Sequence, residues 1–166
     1  MNYHKITIFT LIASVVFLAL MVPGGPVETR SFANVNSIIV MGFNIFLTLL
    51  SIVSIVAIYF MFKRQKWAYQ LTGVLGFAYM LVFVLDLGKI FPVSPNPMNM
   101  TLLVLEWISL ILGGMLILFS YKTISTTEKN YWSGIFHIPI SFIVIIILLL
   151  LLGGGIVYFA TRSALI

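Results

Sequence analysis

The chain has 166 residues, 61% of them hydrophobic and 8% charged, and its mean hydropathy is +1.17. Soluble domains carry about 25% charged residues, so this composition excludes an ordinary water-soluble fold. The net charge of +5 does not point to nucleic acid, because the nine Lys and Arg stand at the ends of apolar runs rather than along one soluble face. With no cysteine in the chain, disulfide frameworks, thiol redox chemistry and cysteine metal sites are excluded as well.

Spanning a bilayer takes about 20 apolar residues, and five runs meet that length. The first, about 5–22, closes on Pro23-Gly24-Gly25-Pro26. The second, 37–62, is long enough to require tilt. The third, 67–91, ends before a loop holding Pro92, Pro95 and Pro97, and the fourth is 101–121. The fifth, 139–160, opens on Pro139, which a first helical turn tolerates, and follows Tyr131 and Trp132 as an interfacial belt. None of the runs alternates as a strand would. The expected fold is all-α, one polytopic integral membrane bundle of five transmembrane helices over residues 1–166. The first run lacks a small-residue cleavage pattern before Pro23, so it reads as a retained helix and not a signal peptide.

With the N-terminus inside, Lys5, Lys63, Arg64, Lys66, Lys122 and Lys129 fall on the cytoplasmic side, against Arg30, Lys89 and Arg162 outside. That bias predicts an N-in, C-out topology, and the plasma membrane is the expected location.

The stretch VLDLGKIF, residues 84–91, puts Asp86 and Lys89 into an apolar run. Thr72, Tyr79 and Asp86 recur every seven residues and share a face, with Lys89 about 60° round the helix. The fourth run repeats the spacing with Glu106, Gly113 and Ser120, and the second with Ser37, Asn44 and Ser51. Stripes of small and hydroxyl-bearing residues are what membrane helices pack through. At about 1.5 Å per residue, Asp86 and Glu106 lie roughly 7–8 Å, and Asn44 about 10 Å, below the expected outer helix ends. The three are expected to converge there, with Lys89 just above and Glu28 and Arg30 of the first outer loop folding over as a cap. Charges at that depth are costly unless paired, protonated or hydrated. The centre is therefore either a polar cavity or a salt-bridged clasp. Its ligand- or ion-binding candidates are Asp86, Glu106, Lys89, Asn44, Tyr79, Glu28 and Arg30.

His4 and His137 are too few for a zinc site and read as interfacial residues. Gly153-Gly154-Gly155 suggests close helix contact, and the all-round apolar run 142–152 suggests a helix that is peripheral or docks on another membrane protein. No nucleophile elbow, zincin or phosphate-loop motif is present, so no catalytic residue, metal or cofactor is assigned. The leading functional expectation is a non-catalytic accessory, regulatory or interaction subunit of a membrane assembly. Behind it stand a small transporter or channel protomer with an outward-facing site at Asp86 and Glu106, and a membrane enzyme acting on lipid or quinone. The expected partners are the lipid bilayer and either a membrane protein or a second copy of the chain, with no nucleic acid.

Overall fold

The computed structural model describes residues 3–127 and 139–165, so Tyr131, Trp132 and His137 lie outside the described residues. Every regular element within them is helical: α1 Tyr3–Leu20, α2 Ser37–Phe62, α3 Lys66–Leu87, α4 Met100–Thr126 and α5 Ile140–Ala164. All five are long and apolar enough to cross a membrane. Large apolar side chains such as Phe9, Phe77, Ile140 and Leu151 stand exposed on their outer faces, where a water-soluble bundle would place charges.

Helix ends depart from the expected ones for identifiable reasons. α3 stops at Leu87, four residues short of Phe91, because the chain turns in a Schellman motif. The Ile90 amide donates to the Leu85 carbonyl at 2.9 Å and the Lys89 amide to that of Asp86 at 2.8 Å. Lys89 takes the left-handed position, φ 53. α2 ends identically, with Gln65 bonded to Phe60, Arg64 to Met61, and Arg64 at φ 56. Both turns put a basic residue where glycine is usual, beside the negative end of a helix dipole. α4 and α5 begin at side-chain and proline signals. Asn99 accepts the Leu102 amide at 2.7 Å as N-cap, and Pro139 precedes α5. The two helices then run on to Thr126 and Ala164, beyond the expected 121 and 160.

α1 packs on α2 and α4, and α3 packs on α2 and α4, which closes the first four helices into a ring. The tightest seam is α3 against α4. A Cβ added at Gly76 would lie 2.8 Å from the Gly113 carbonyl oxygen, and one at Gly113 would lie 2.8 Å from Met80 Cγ. Without side chains at these two positions, the backbones approach closely.

α5 stays outside the ring and lies antiparallel along α2. Phe142 stacks on Tyr59 (centroids 3.9 Å) and meets Phe60 edge-on. Gly153 faces Thr48 and Ile52 half-way along, and Thr161 reaches Asn44 near the C-terminal end of α5. The polar stripe of α2 thus serves α5, and not the α3–α4 pair as its spacing suggests.

Candidate functional site

Three segments deliver the charged centre. Glu28 and Arg30 come from the α1–α2 connection, Asp86 from the last turn of α3, and Glu106 from the second turn of α4. The Arg30 guanidinium is a two-sided fork. Its Nε and Nη2 donate to Glu28 Oε1 and Oε2 at 2.9 and 2.6 Å. Its Nη1 and Nη2 donate to Asp86 Oδ1 and Oδ2, both at 2.8 Å. Bidentate pairing on both sides uses the planar geometry that distinguishes arginine from lysine. The Arg30 backbone amide also donates to Glu28 Oε1 at 2.9 Å, so the turn and the ion pair hold each other in place.

Glu106 lies deeper. Its Oε1 is 3.8 Å from Arg30 Nη2, a charge contact beyond hydrogen-bond length. Its Oε2 has no hydrogen-bond partner among the described residues. Side-chain exposure is 1% for Glu28 and Glu106, 6% for Arg30 and 14% for Asp86, so three carboxylates surround one guanidinium largely out of solvent. The chain holds only four acidic residues, and three of them meet here. Burial alone would lower the Arg30 pKa, but hydrogen bonds and charges from Asp86 and Glu28 outweigh it and hold the guanidinium above its ordinary value. Arg30 is therefore a permanent cation in this setting.

Two spaces flank the charged centre. On its outer side a recess of about 320 Å³ is lined by Arg30, Lys89, Ser94 and Asn96 together with the loop prolines. On the inner side Asp86 and Glu106 line a cavity of about 10 Å³, walled by apolar side chains such as Leu18, Leu47 and Phe83. That volume is at the lower limit for a single water.

The other candidates sit elsewhere. Asn44 does not join the carboxylates. Its amide Nδ2 donates to Thr161 Oγ1 at 3.1 Å in the α2–α5 seam, while its neighbours Phe43 and Leu47 face the inner cavity. Adjacent residues on a helix point about 100° apart, and the ring claims the Phe43 face of α2. Tyr79 shares the Asp86 face but lies two turns deeper, where its hydroxyl pairs with Ser54 Oγ at 3.0 Å between α2 and α3. Lys89 is exposed in the turn that ends α3, and the ion-pair partner of Asp86 is Arg30.

Sequence reading missed Asn99. While its Oδ1 caps α4, its Nδ2 donates to the Val27 carbonyl (3.2 Å) and to Thr29 Oγ1 (3.1 Å), which ties the α1–α2 connection to α4. An asparagine directly before an apolar run is the signal that marks such a cap. Ser94 adds a second tie, donating to the Ser31 carbonyl at 2.8 Å.

No curated protein and no solved structure is significantly similar to this chain. Residues 3–133 match the model of a family described as a domain of unknown function, DUF8051. The match takes in α1 to α4 and the whole Arg30 cluster and leaves α5 outside, and the chain belongs to that family.

Proposed function

We propose that the chain is a membrane protein, N-in and C-out in the plasma membrane, that takes up a proton or small cation from its outer side at Asp86 and Glu106, as a small transporter or channel protomer does. The supporting observation is the charge balance at Arg30. Three carboxyl groups share one guanidinium in a site largely closed from solvent, and the deepest of them keeps an oxygen without a hydrogen-bond partner among the described residues, beside a cavity. An uncompensated buried charge costs several kcal/mol, so the site favours a positive species. The cavity suits a proton carried on water or a bare ion and is too small for an organic solute. Arg30 then stands between the outer recess and the carboxylates. The exposed apolar faces and the six inner basic residues favour the membrane setting and its orientation.

Infrared difference spectra of the full chain in lipid nanodiscs test this. One series crosses a pH step at constant salt, and the other a sodium or potassium step at constant pH. A carboxyl band that answers either step and is lost in Glu106→Gln supports the proposal and tells proton from cation. Identical responses of the wild type and Glu106→Gln to both steps would sink it.

A second reading, a non-catalytic accessory or interaction subunit, is favoured by α5, which lies outside both the ring and the family domain. Native mass spectrometry of the protein extracted from its own membrane tests it. A second protein in fixed stoichiometry supports that reading, and a monomer or homo-oligomer alone counts against it.

A further inference from the structure

Where α5 leans away from α1, the two helices and the Gly24–Pro26 turn enclose an open cleft of about 710 Å³. One wall is Ala19 and Val22, and the opposite wall is Leu151, Gly155, Ile156 and Phe159 of α5. Pockets that hold drug-sized ligands have about 300–1,000 Å³. From Leu151 to Ala160 the α5 wall rises about 14 Å, close to half of a roughly 30 Å hydrocarbon core. The Gly24–Pro26 turn closes the outer end. There Gly24, at φ 79, comes so close to α5 that a Cβ would meet the Ala160 carbonyl. The cleft therefore has the depth of one bilayer leaflet and an apolar lining.

Charge marks its mouth. Arg162 is exposed in the last turn of α5. At 100° per residue it projects within about 20° of both Gly155 and Leu151, one turn above Phe159. A cation thus stands at headgroup level on the same face of α5 as the apolar wall. Gly155 supplies the hollow itself, because a Cβ built there meets nothing within 4 Å.

We propose that this cleft seats an acyl chain of an anionic phospholipid, with the phosphate headgroup held at Arg162. The inference needs the chain to lie in a bilayer but is independent of the carboxylate centre, whose cavity shares no lining residue with the cleft. Such a lipid would fill the gap between α5 and the ring and complete a seam that protein atoms leave open.

The test uses the full chain reconstituted in nanodiscs of equal phosphatidylglycerol and phosphatidylcholine, released into native mass spectrometry. The expected result is one retained phospholipid with phosphatidylglycerol enriched. Arg162→Gln should reduce that enrichment about fivefold, the worth of one basic residue near an anionic headgroup. Gly155→Leu should fill the hollow and abolish retention. Gly154→Leu, also with open space at its Cβ but off the cleft lining, should retain the lipid. Retention unchanged in Gly155→Leu overturns the proposal. So does equal loss in Gly154→Leu, which would assign the effect to α5 as a whole. A second copy of the chain, or equal retention of the two lipids, overturns it as well.

Discussion

The ring of α1 to α4 turns its polar and small side chains inward, whereas α5 turns most of its surface outward. In their most apolar stretches, 28–44% of residues in the ring helices are buried against 17% in α5. Lipid tails are as apolar as leucine, so burying an aliphatic side chain against another helix gains little within a membrane. What holds a helix there is close backbone approach, hydrogen bonding and ion pairing. The ring has all three: the Gly76–Gly113 contact, the Ser54–Tyr79 and Thr7–Thr123 hydroxyl pairs, and the Arg30 fork. α5 has the Asn44–Thr161 bond, the Gly153 notch, the Phe32 amide on the Ala164 carbonyl, and stacked aromatics at its N-terminal end. The comparison predicts that the ring behaves as one cooperative unit and that α5 detaches first.

The largest test strikes the ring at its charged centre. Arg30→Met removes the cation that, among the described residues, pairs with Glu28, Asp86 and Glu106. Breaking a buried ion pair from one side costs about 3–5 kcal/mol, because the partners are left charged and unpaired. The expected outcome is a large drop in melting temperature in detergent, or no folded protein at all. Adding Glu28→Gln and Asp86→Asn should recover much of the loss, since removing all partners together is far less costly than removing one. A melting temperature within a few degrees of wild type for Arg30→Met alone would mean that the cluster does not hold the ring together at the Arg30 end. The two-region comparison would then lose its main support.

Gly113→Leu attacks the same unit through packing. A Cβ at that position already collides with Met80 Cγ at 2.8 Å and crowds the Gly76 carbonyl, so the larger side chain forces α3 and α4 apart. Overpacking costs about 1–3 kcal/mol, and the change should appear as a lower melting temperature of the whole ring. Gly42→Leu on α2, where a Cβ meets nothing within 4 Å, is the matched control and should be silent.

Sequence alone marks the helices well and their neighbours poorly, and the reason is physical. Hydropathy reports the number and centre of the five apolar helices, because a run of that length and composition satisfies its own backbone as a helix. It does not report ends. The prolines at 92, 95 and 97 suggest where α3 must already have stopped, but the stop is made earlier by Lys89 in a conformation that side chains disfavour. The heptad spacing of Asp86, and the depth of Glu106, are legible along each helix. Which helix faces which is not, so Asn44 reads as a third member of the centre when its α2 face belongs to α5. Arg30 is legible as a basic residue within reach of carboxylates. Its bidentate grip on two of them depends on the path of the connection between α1 and α2, residues 21–36, which no periodicity describes.

The smallest test concerns the seam that holds α5, where the outcome depends on which partner is removed. Asn44 is fully buried; its Nδ2 bonds Thr161 Oγ1 while its Oδ1 has no partner among the described residues. Asn44→Leu therefore removes one hydrogen bond and one buried orphan together, and the two effects oppose each other. Thr161→Val removes the bond but leaves the entire amide of Asn44 buried without it. Interhelical bonds in membranes average about 0.6 kcal/mol by double-mutant cycle, and a stranded polar group adds to that. Thr161→Val should thus loosen α5 more than Asn44→Leu, although both break the same contact. The native chain has no cysteine, so spin labels placed at the exposed Val53 of α2 and Tyr158 of α5 can report the separation of the two helices directly. A broader distance distribution in Thr161→Val than in Asn44→Leu, with the melting of the ring unchanged in both, is the expected result. Equal broadening would show the Asn44 oxygen to be satisfied by water entering the seam, and α5 to be held there by a wetter contact than its apolar sequence implies.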